Sequence, residues 1–250
     1  MVIAFSVQCP PEVMREILET RVRAGLDQTA AGWFSKALSM AASSDRAALL
    51  QIYTEASRRL GRSPLPPLPE STSTLDRRFE NWTLEDAGRL ALMLTRHAAA
   101  SAEQFAADAV ACYEMGDTRE QQSWLRTAAF LPEPERYLPL VIDACRTNIL
   151  PMFEAVACEN SYPASYFPER NFNQMVLKAL FNGVALARIQ GLPARLNPEL
   201  ARMASDYADE RRAAGRSIPT DIGLAMAGLG EGPTHEDHRS PRPHDLAHHR

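Results

Sequence analysis

Apolar residues along this chain recur at intervals of three and four, the period of a helix with one buried face, and almost nowhere at the alternation of a strand. Over residues 11–24, Val13, Ile17 and Leu18 fall on one stripe. Over 27–42, Trp33, Phe34, Ala37, Leu38 and Ala41 do the same. A third stretch, DRAALLQIYTEASRRLG, places Leu49, Ile52, Tyr53 and Ala56 together, with a basic last turn and Gly61 as its stop. GRSPLPPLPESTST follows, and its prolines end any helix, so residues 61–76 read as an extended connector or a linker.

Beyond the connector the helix starts are spelled out by capping residues. Thr83 with Asp86, Ser101 with Gln104, and Asp117 with Glu120 have the capping-box spacing. Gly116 and Pro132 close two of these helices, and Pro134 suits the first turn of the next. Asn197-Pro198-Glu199 opens a later helix that ends at Gly215. Four consecutive helices with short joints predict an all-α fold of stacked antiparallel hairpins, a helical-repeat-like bundle without a strict sequence repeat. The expected organisation is a three-helix segment over 1–60, the connector over 61–76, and a helical domain over 77–221. A Gly-, Pro- and His-rich tail takes up 222–250 and has little to bury.

Charge and cysteine usage narrow the function. Lys and Arg number 27 against 31 Asp and Glu, so the chain lacks the basic excess of a general nucleic-acid binder. No apolar run reaches the ~20 residues of a membrane span, and the N-terminal stretch has no signal-peptide pattern. Cys9, Cys112, Cys145 and Cys158 are scattered without a C-x-x-C pair, which reads as buried reduced thiols of a cytoplasmic protein. His97 is the one histidine of the body. His235, His238, His244, His248 and His249 lie in the tail, which offers no preset geometry, so no metal site and no cofactor is expected. Phosphate-loop, zinc-protease and nucleophile-elbow motifs are absent from the sequence.

The densest chemistry lies in RTNILPMFEAVACENSYPASYFPERNFNQMVLKALF, residues 146–181, where polar groups sit inside an apolar helical pattern and need partners. Pro151 cannot donate to the carbonyl of Thr147, so the helix breaks there and leaves that oxygen unbonded. Arg146 and Asn148 flank the break. They form either a polar notch for a ligand or, with Asn148 as cap, the start of a new helix near Ile149. Glu154 lies on an apolar face and needs a partner; Arg146, Lys178 and Arg188 are the candidates, and the alternative role is a general base. Lys178 is one of two lysines, with Lys36. It is either a desolvated amine for Schiff-base or anion chemistry or a side chain reaching to water from a packed helix. Asn173 and Gln174 read as the opening of that helix, and Gln174 shares a face with Lys178. A polar centre of Gln174, Lys178, Asn148 and Glu154 is the expected site. Tyr162 and Tyr166, with Pro163 and Pro168, form a stiff aromatic loop that either lines a pocket or plugs the bundle. Tyr207 and Arg211, four apart, permit a cation–π contact.

These residues carry a resemblance. Arg146-Thr147-Asn148, Phe153-Glu154-Ala155, Asn160-Ser161-Tyr162-Pro163 and the run Asn173 to Ala179 are similar to the EboA family, bacterial proteins encoded in small-molecule gene clusters. Ile189 to Leu192, Asn197 to Met203 and Asp206 to Gly215 extend the likeness, which reaches back weakly to Trp82. Ser161 and Phe172 stand where the family pattern has Pro and Trp. The resemblance implies an all-helical cytoplasmic protein beside a prenyltransferase, a metal-dependent hydrolase, a cyclase-like enzyme and a sugar-isomerase-like barrel. In cyanobacteria such clusters are associated with moving a pigment precursor to the periplasm. The expected function is a non-catalytic accessory or adaptor of such a pathway, with a pathway enzyme or small-molecule intermediate as partner. Contact with a membrane enzyme at the membrane's edge belongs to the same expectation. The alternatives are an enzyme acting through Lys178 and Glu154 on a polyol or isoprenoid phosphate, and a small-molecule carrier.

Overall fold

The computed structural model describes residues 9–43, 45–67, 79 and 81–227. Among them are twelve α-helices and no strand. The expected first three helices are present: α1 (Pro11–Ala24), α2 (Gln28–Ala41) and α3 (Arg46–Leu60). Asp27 and Asp45 cap the second and third. One stripe differs from expectation. Val13 of α1 is exposed and Ile17 half-exposed, while Met14, Leu18 and Val22 are buried, so the helix is rolled by one position toward its i, i+4 row.

All three N-terminal helices pack on α4 (Leu84–Ala99), which α5 (Ala102–Glu114) and α6 (Thr118–Thr127) also touch. Capping boxes open α4, α5 and α6 as their sequences predict. α4 is buried from Leu84 to Arg96 on every side, and the consecutive apolar run Leu90 to Leu94 is the sequence sign of such a helix. Gly88 allows the close contact with α3: a Cβ there would lie 2.1 Å from Leu60 Cδ1. The start of the connector runs antiparallel to the entry of α4. Leu65 N–H donates to Trp82 O (2.9 Å), Leu84 N–H to Ser63 O (3.0 Å), and Arg21 Nε to Pro66 O (2.7 Å).

From α4 the packing proceeds through α6 to α8 (Leu150–Ala157), then α10 (Glu169–Asn182), α11 (Pro198–Ala213) and α12 (Gly223–Met226). Between them lie α7 (Leu138–Cys145), packed on α8, and the short α9 (Tyr162–Tyr166). The buried apolar side chains of these elements form one continuous cluster. The helical turn α12 corrects the tail boundary. Ile222 and Ala225 are buried, and Asp221 Oδ2 accepts from Leu186 N–H at 2.6 Å, so the packed chain extends to 227. The tail histidines lie outside the described residues. No helix among the described residues is long and apolar enough to cross a membrane.

Candidate functional site

The break at Pro151 is real. α7 stops at Cys145 and α8 starts at Leu150, with Pro151 in its first turn. No side chain caps α8: Thr147 Oγ1 accepts from Ile149 N–H (3.1 Å) in the turn ahead of it, and Asn148, the expected cap, is exposed at the joint. The Thr147 carbonyl that proline leaves unbonded is taken by Lys178, whose Nζ donates to Thr147 O at 2.5 Å and to Cys145 O at 2.9 Å. A lysine at the last carbonyls of a helix also meets the negative end of its dipole. The same ammonium lies 5.2 Å from the centroid of Phe153. Lys178 thus joins α10 to the α7–α8 joint.

Glu154 does not meet Lys178. Its Oε1 accepts from Arg188 Nη1 at 2.9 Å, which selects one of the three expected partners. Arg188 also grips Glu159 in a two-pronged pair (2.9 and 3.0 Å), and Glu159 N–H donates back to Arg188 O. Glu159 holds φ of 48°, a left-handed conformation that this double connection fixes. The Arg188 guanidinium is held above its ordinary pKa, first by Glu159.

The remaining expected residues divide. Asn173 does not open α10, which begins at Glu169. It is buried and exchanges two hydrogen bonds with Asn197 (3.0 and 3.1 Å), and Asn197 caps α11 through Leu200 N–H. Tyr162 is no pocket wall: it is fully buried, donates to Pro134 O at 2.6 Å and packs on Tyr166 at 4.8 Å between centroids. The predicted aromatic loop is largely the helix α9. Arg146 is 72% exposed at its side chain, with Asp143 3.5 Å away. Only Gln174 and Lys178 of the expected centre share one recess; Asn148 and Glu154 stand apart from it.

That recess is an open groove of about 570 Å³ between α10 and α11. Gln174, Leu177, Lys178 and Phe181 line one side, Met203, Asp206, Tyr207 and Glu210 the other. Phe181 is 63% exposed and leans on Tyr207 with 4.4 Å between ring centroids. Arg211 lies 5.9 Å from the Tyr207 ring, as their spacing predicts. Ile149 and Leu150, following the Thr147 that Lys178 holds, are exposed apolar residues as well.

Two residues to which the sequence reading gave no role of their own do much of the fastening. Asn160 is buried; its Nδ2 donates to Leu125 O (3.0 Å) and Ala155 O (2.9 Å), and its Oδ1 accepts from Tyr162 N–H (2.9 Å). Arg195 donates to Ala164 O (2.6 Å) and Phe167 O (2.7 Å) at the end of α9, and lies 4.6 Å from the Phe172 centroid. Cys112, Cys145 and Cys158 are buried, and burial pushes their thiols up, to about 12, 11 and 12. Such thiols are poor nucleophiles.

No curated protein and no solved structure matches this chain. A family model described as "Metabolite traffic protein EboA" matches residues 14–227, the span that holds all twelve helices except the first turn of α1. With helices, joint and groove falling inside that match, the chain belongs to the EboA family.

Proposed function

We propose that this protein is a non-catalytic accessory of a metabolite pathway. Through the α10–α11 face it binds a partner enzyme or a pathway intermediate. One observation carries the reading: the two groups best suited to chemistry are committed inside the fold, while the adjoining surface is open and apolar. Lys178 donates to two carbonyls and Glu154 pairs with Arg188, so each already has a partner within the fold. Phe181, by contrast, exposes an aromatic ring at the lip of the groove. Aromatic anchors beside a shallow groove suit protein docking. The family description supports a role in handling a metabolite. Synthesis or export of a prenylated precursor is the pathway we assign it to, with the partner enzyme held in the cytoplasm or at the membrane's edge.

A photo-crosslinking residue at position 181, introduced in the native cells, tests this. The expected result is one dominant protein adduct, loss of pathway output in Phe181→Ser, and normal output in Lys178→Arg. Unchanged output in Phe181→Ser with no adduct refutes the docking face. Loss of output in a folded Lys178→Arg protein favours the enzyme reading instead.

A further inference from the structure

The groove between α10 and α11 carries its free charge on one side. Asn173, early in α10, exchanges hydrogen bonds with Asn197 at the cap of α11, and Phe181, late in α10, leans on Tyr207. The two helices therefore lie side by side and run in the same direction. Gln174, Leu177 and Phe181 bring no charge to the α10 rim, and the Lys178 ammonium is turned into the α7–α8 joint. The α11 rim is acidic. Asp206 and Glu210 are both exposed and stand one helical turn apart, which sets their side chains about 6 Å from each other. The cations of α11 have other duties. Arg212 pairs with Asp209, Arg211 donates to Ser217 O (2.8 Å), and Arg202 is shared between Glu199 and Asp206. The Arg202–Asp206 pair is 58% and 64% exposed, so it contributes little and exchanges readily. The Glu210 carboxylate has no partner among the described residues.

We infer that the occupant of this groove is a helix of a partner protein. Its apolar stripe lies on Leu177, Phe181 and Tyr207, and two Lys or Arg residues one turn apart edge that stripe and face Asp206 and Glu210. The inference rests on the docking reading proposed above and names the partner's chemistry. Two helices packed side by side offer the ridges and groove that a third helix fills. The main-chain groups of α10 and α11 are spent within those helices, so an extended peptide gains no ladder of hydrogen bonds there. An amphipathic helix anchors instead through side chains, and the Phe181 ring, 63% exposed, is there to meet them. Basic residues four apart on the partner repeat the spacing of Asp206 and Glu210, so both ion pairs form in one register. An acidic helix meets like charge along that rim, and an uncharged one covers Glu210 without pairing it.

The test uses the full chain in its native cells, with a photo-crosslinking phenylalanine analogue at position 181 and the trapped segment sequenced by mass spectrometry. The expected segment has a helical apolar stripe edged by Lys or Arg at i and i+4. Reversing the rim with Asp206→Lys and Glu210→Lys together lowers the adduct yield by at least about tenfold. Asp209→Lys, at an exposed position of α11 outside the groove, leaves the yield unchanged. Changing the partner's two basic residues to Glu restores the adduct with the doubly reversed chain. If the double reversal disturbs folding, Asp206→Asn with Glu210→Gln takes its place, with a loss of several-fold expected. A trapped segment without the basic pair, or a yield indifferent to the rim charges, overturns the inference and leaves the docking face standing. No protein adduct, with pathway output still lost in Phe181→Ser, gives the face to a small molecule and overturns it as well. No adduct together with unchanged output removes the docking reading itself, and the helix with it.

Discussion

Replacing Lys178 with Met keeps the aliphatic stem and removes the ammonium, leaving Cys145 O and Thr147 O without their donor. A hydrogen bond from a charged donor contributes about 1.5–3 kcal/mol. A cation at a helix C-terminus adds about 0.3–1 kcal/mol, and the contact with Phe153 about 0.5–1 kcal/mol. These terms share one group and are not additive, and Thr147 is half-exposed, so water can replace part of its bond. The expected loss is about 2–3 kcal/mol, read as a lower urea midpoint at unchanged slope, followed by far-UV circular dichroism. Lys36→Met, at an exposed position of α2, is the matched control and should stay within about 0.5 kcal/mol. Lys178→Arg should keep most of the stability, because a guanidinium can also donate to two carbonyls. A Lys178→Met protein as stable as the Lys36→Met control would refute the view that this amine closes the α7–α8 joint.

Asn160→Ala leaves Leu125 O, Ala155 O and Tyr162 N–H without their partner in the interior, and should cost at least about 3 kcal/mol in the same urea assay. Arg188→Met separates the two chain segments it joins, but its pairs are a third or more exposed, so the loss should be near 1 kcal/mol and should shrink in high salt. In a Cys9→Ser chain at pH 8, Ellman's reagent should label Cys112, Cys145 and Cys158 only on unfolding, since all three are buried with thiols pushed up. The same groups make stability fall in alkali. Their folded pKa values of about 11–12, with Tyr137 at about 12, exceed the unfolded values, so the native state holds more protons there. Their contribution is complete below about pH 8.5 and lost as pH rises toward 12. A urea midpoint flat from pH 8 to 11 would contradict this.

What the sequence made legible follows from how local each signal is. Capping boxes at Thr83, Ser101 and Asp117 involve residues three apart, so they could be read directly and stand as predicted. The break at Pro151 is equally local. The partners across it are not: nothing near Lys178 in sequence says that its target is a carbonyl 31 positions earlier. Asn173 looked like a helix start because Asn favours that place, but Pro168 already opens α10 and the asparagine pairs with Asn197 instead. Glu85, Asp86, Arg89 and Arg96 are charged residues of α4 and are all buried. Their partners come from three other stretches, the connector, α5 and α6. Arg119 and Arg62 reach Glu85, Arg126 reaches Asp86, Glu120 faces Arg89, and Asp108 pairs with Arg96. Only the unbroken apolar run through Leu94 hinted that this helix had no wet side.

The polar residues of 146–181 then have a common cause. Pro151, Pro163 and Pro168 cut this part of the chain into α7, α8 and α9, of eight, eight and five residues, ahead of α10. Helices that short leave a large share of their carbonyls without internal partners. Cations from later in the chain fill the deficit: Lys178 at the end of α7 and Arg195 at the end of α9, while Arg188 ties the exit of α8 through Glu154 and Glu159. Removing Lys178 or Arg195 leaves helix-end carbonyls without their donor. The residues without such duties, Gln174 and Phe181 on α10 and Met203 and Glu210 on α11, line the groove that the proposed function assigns to binding. Substitutions among the cations should therefore register first in stability, and substitutions along the groove first in binding.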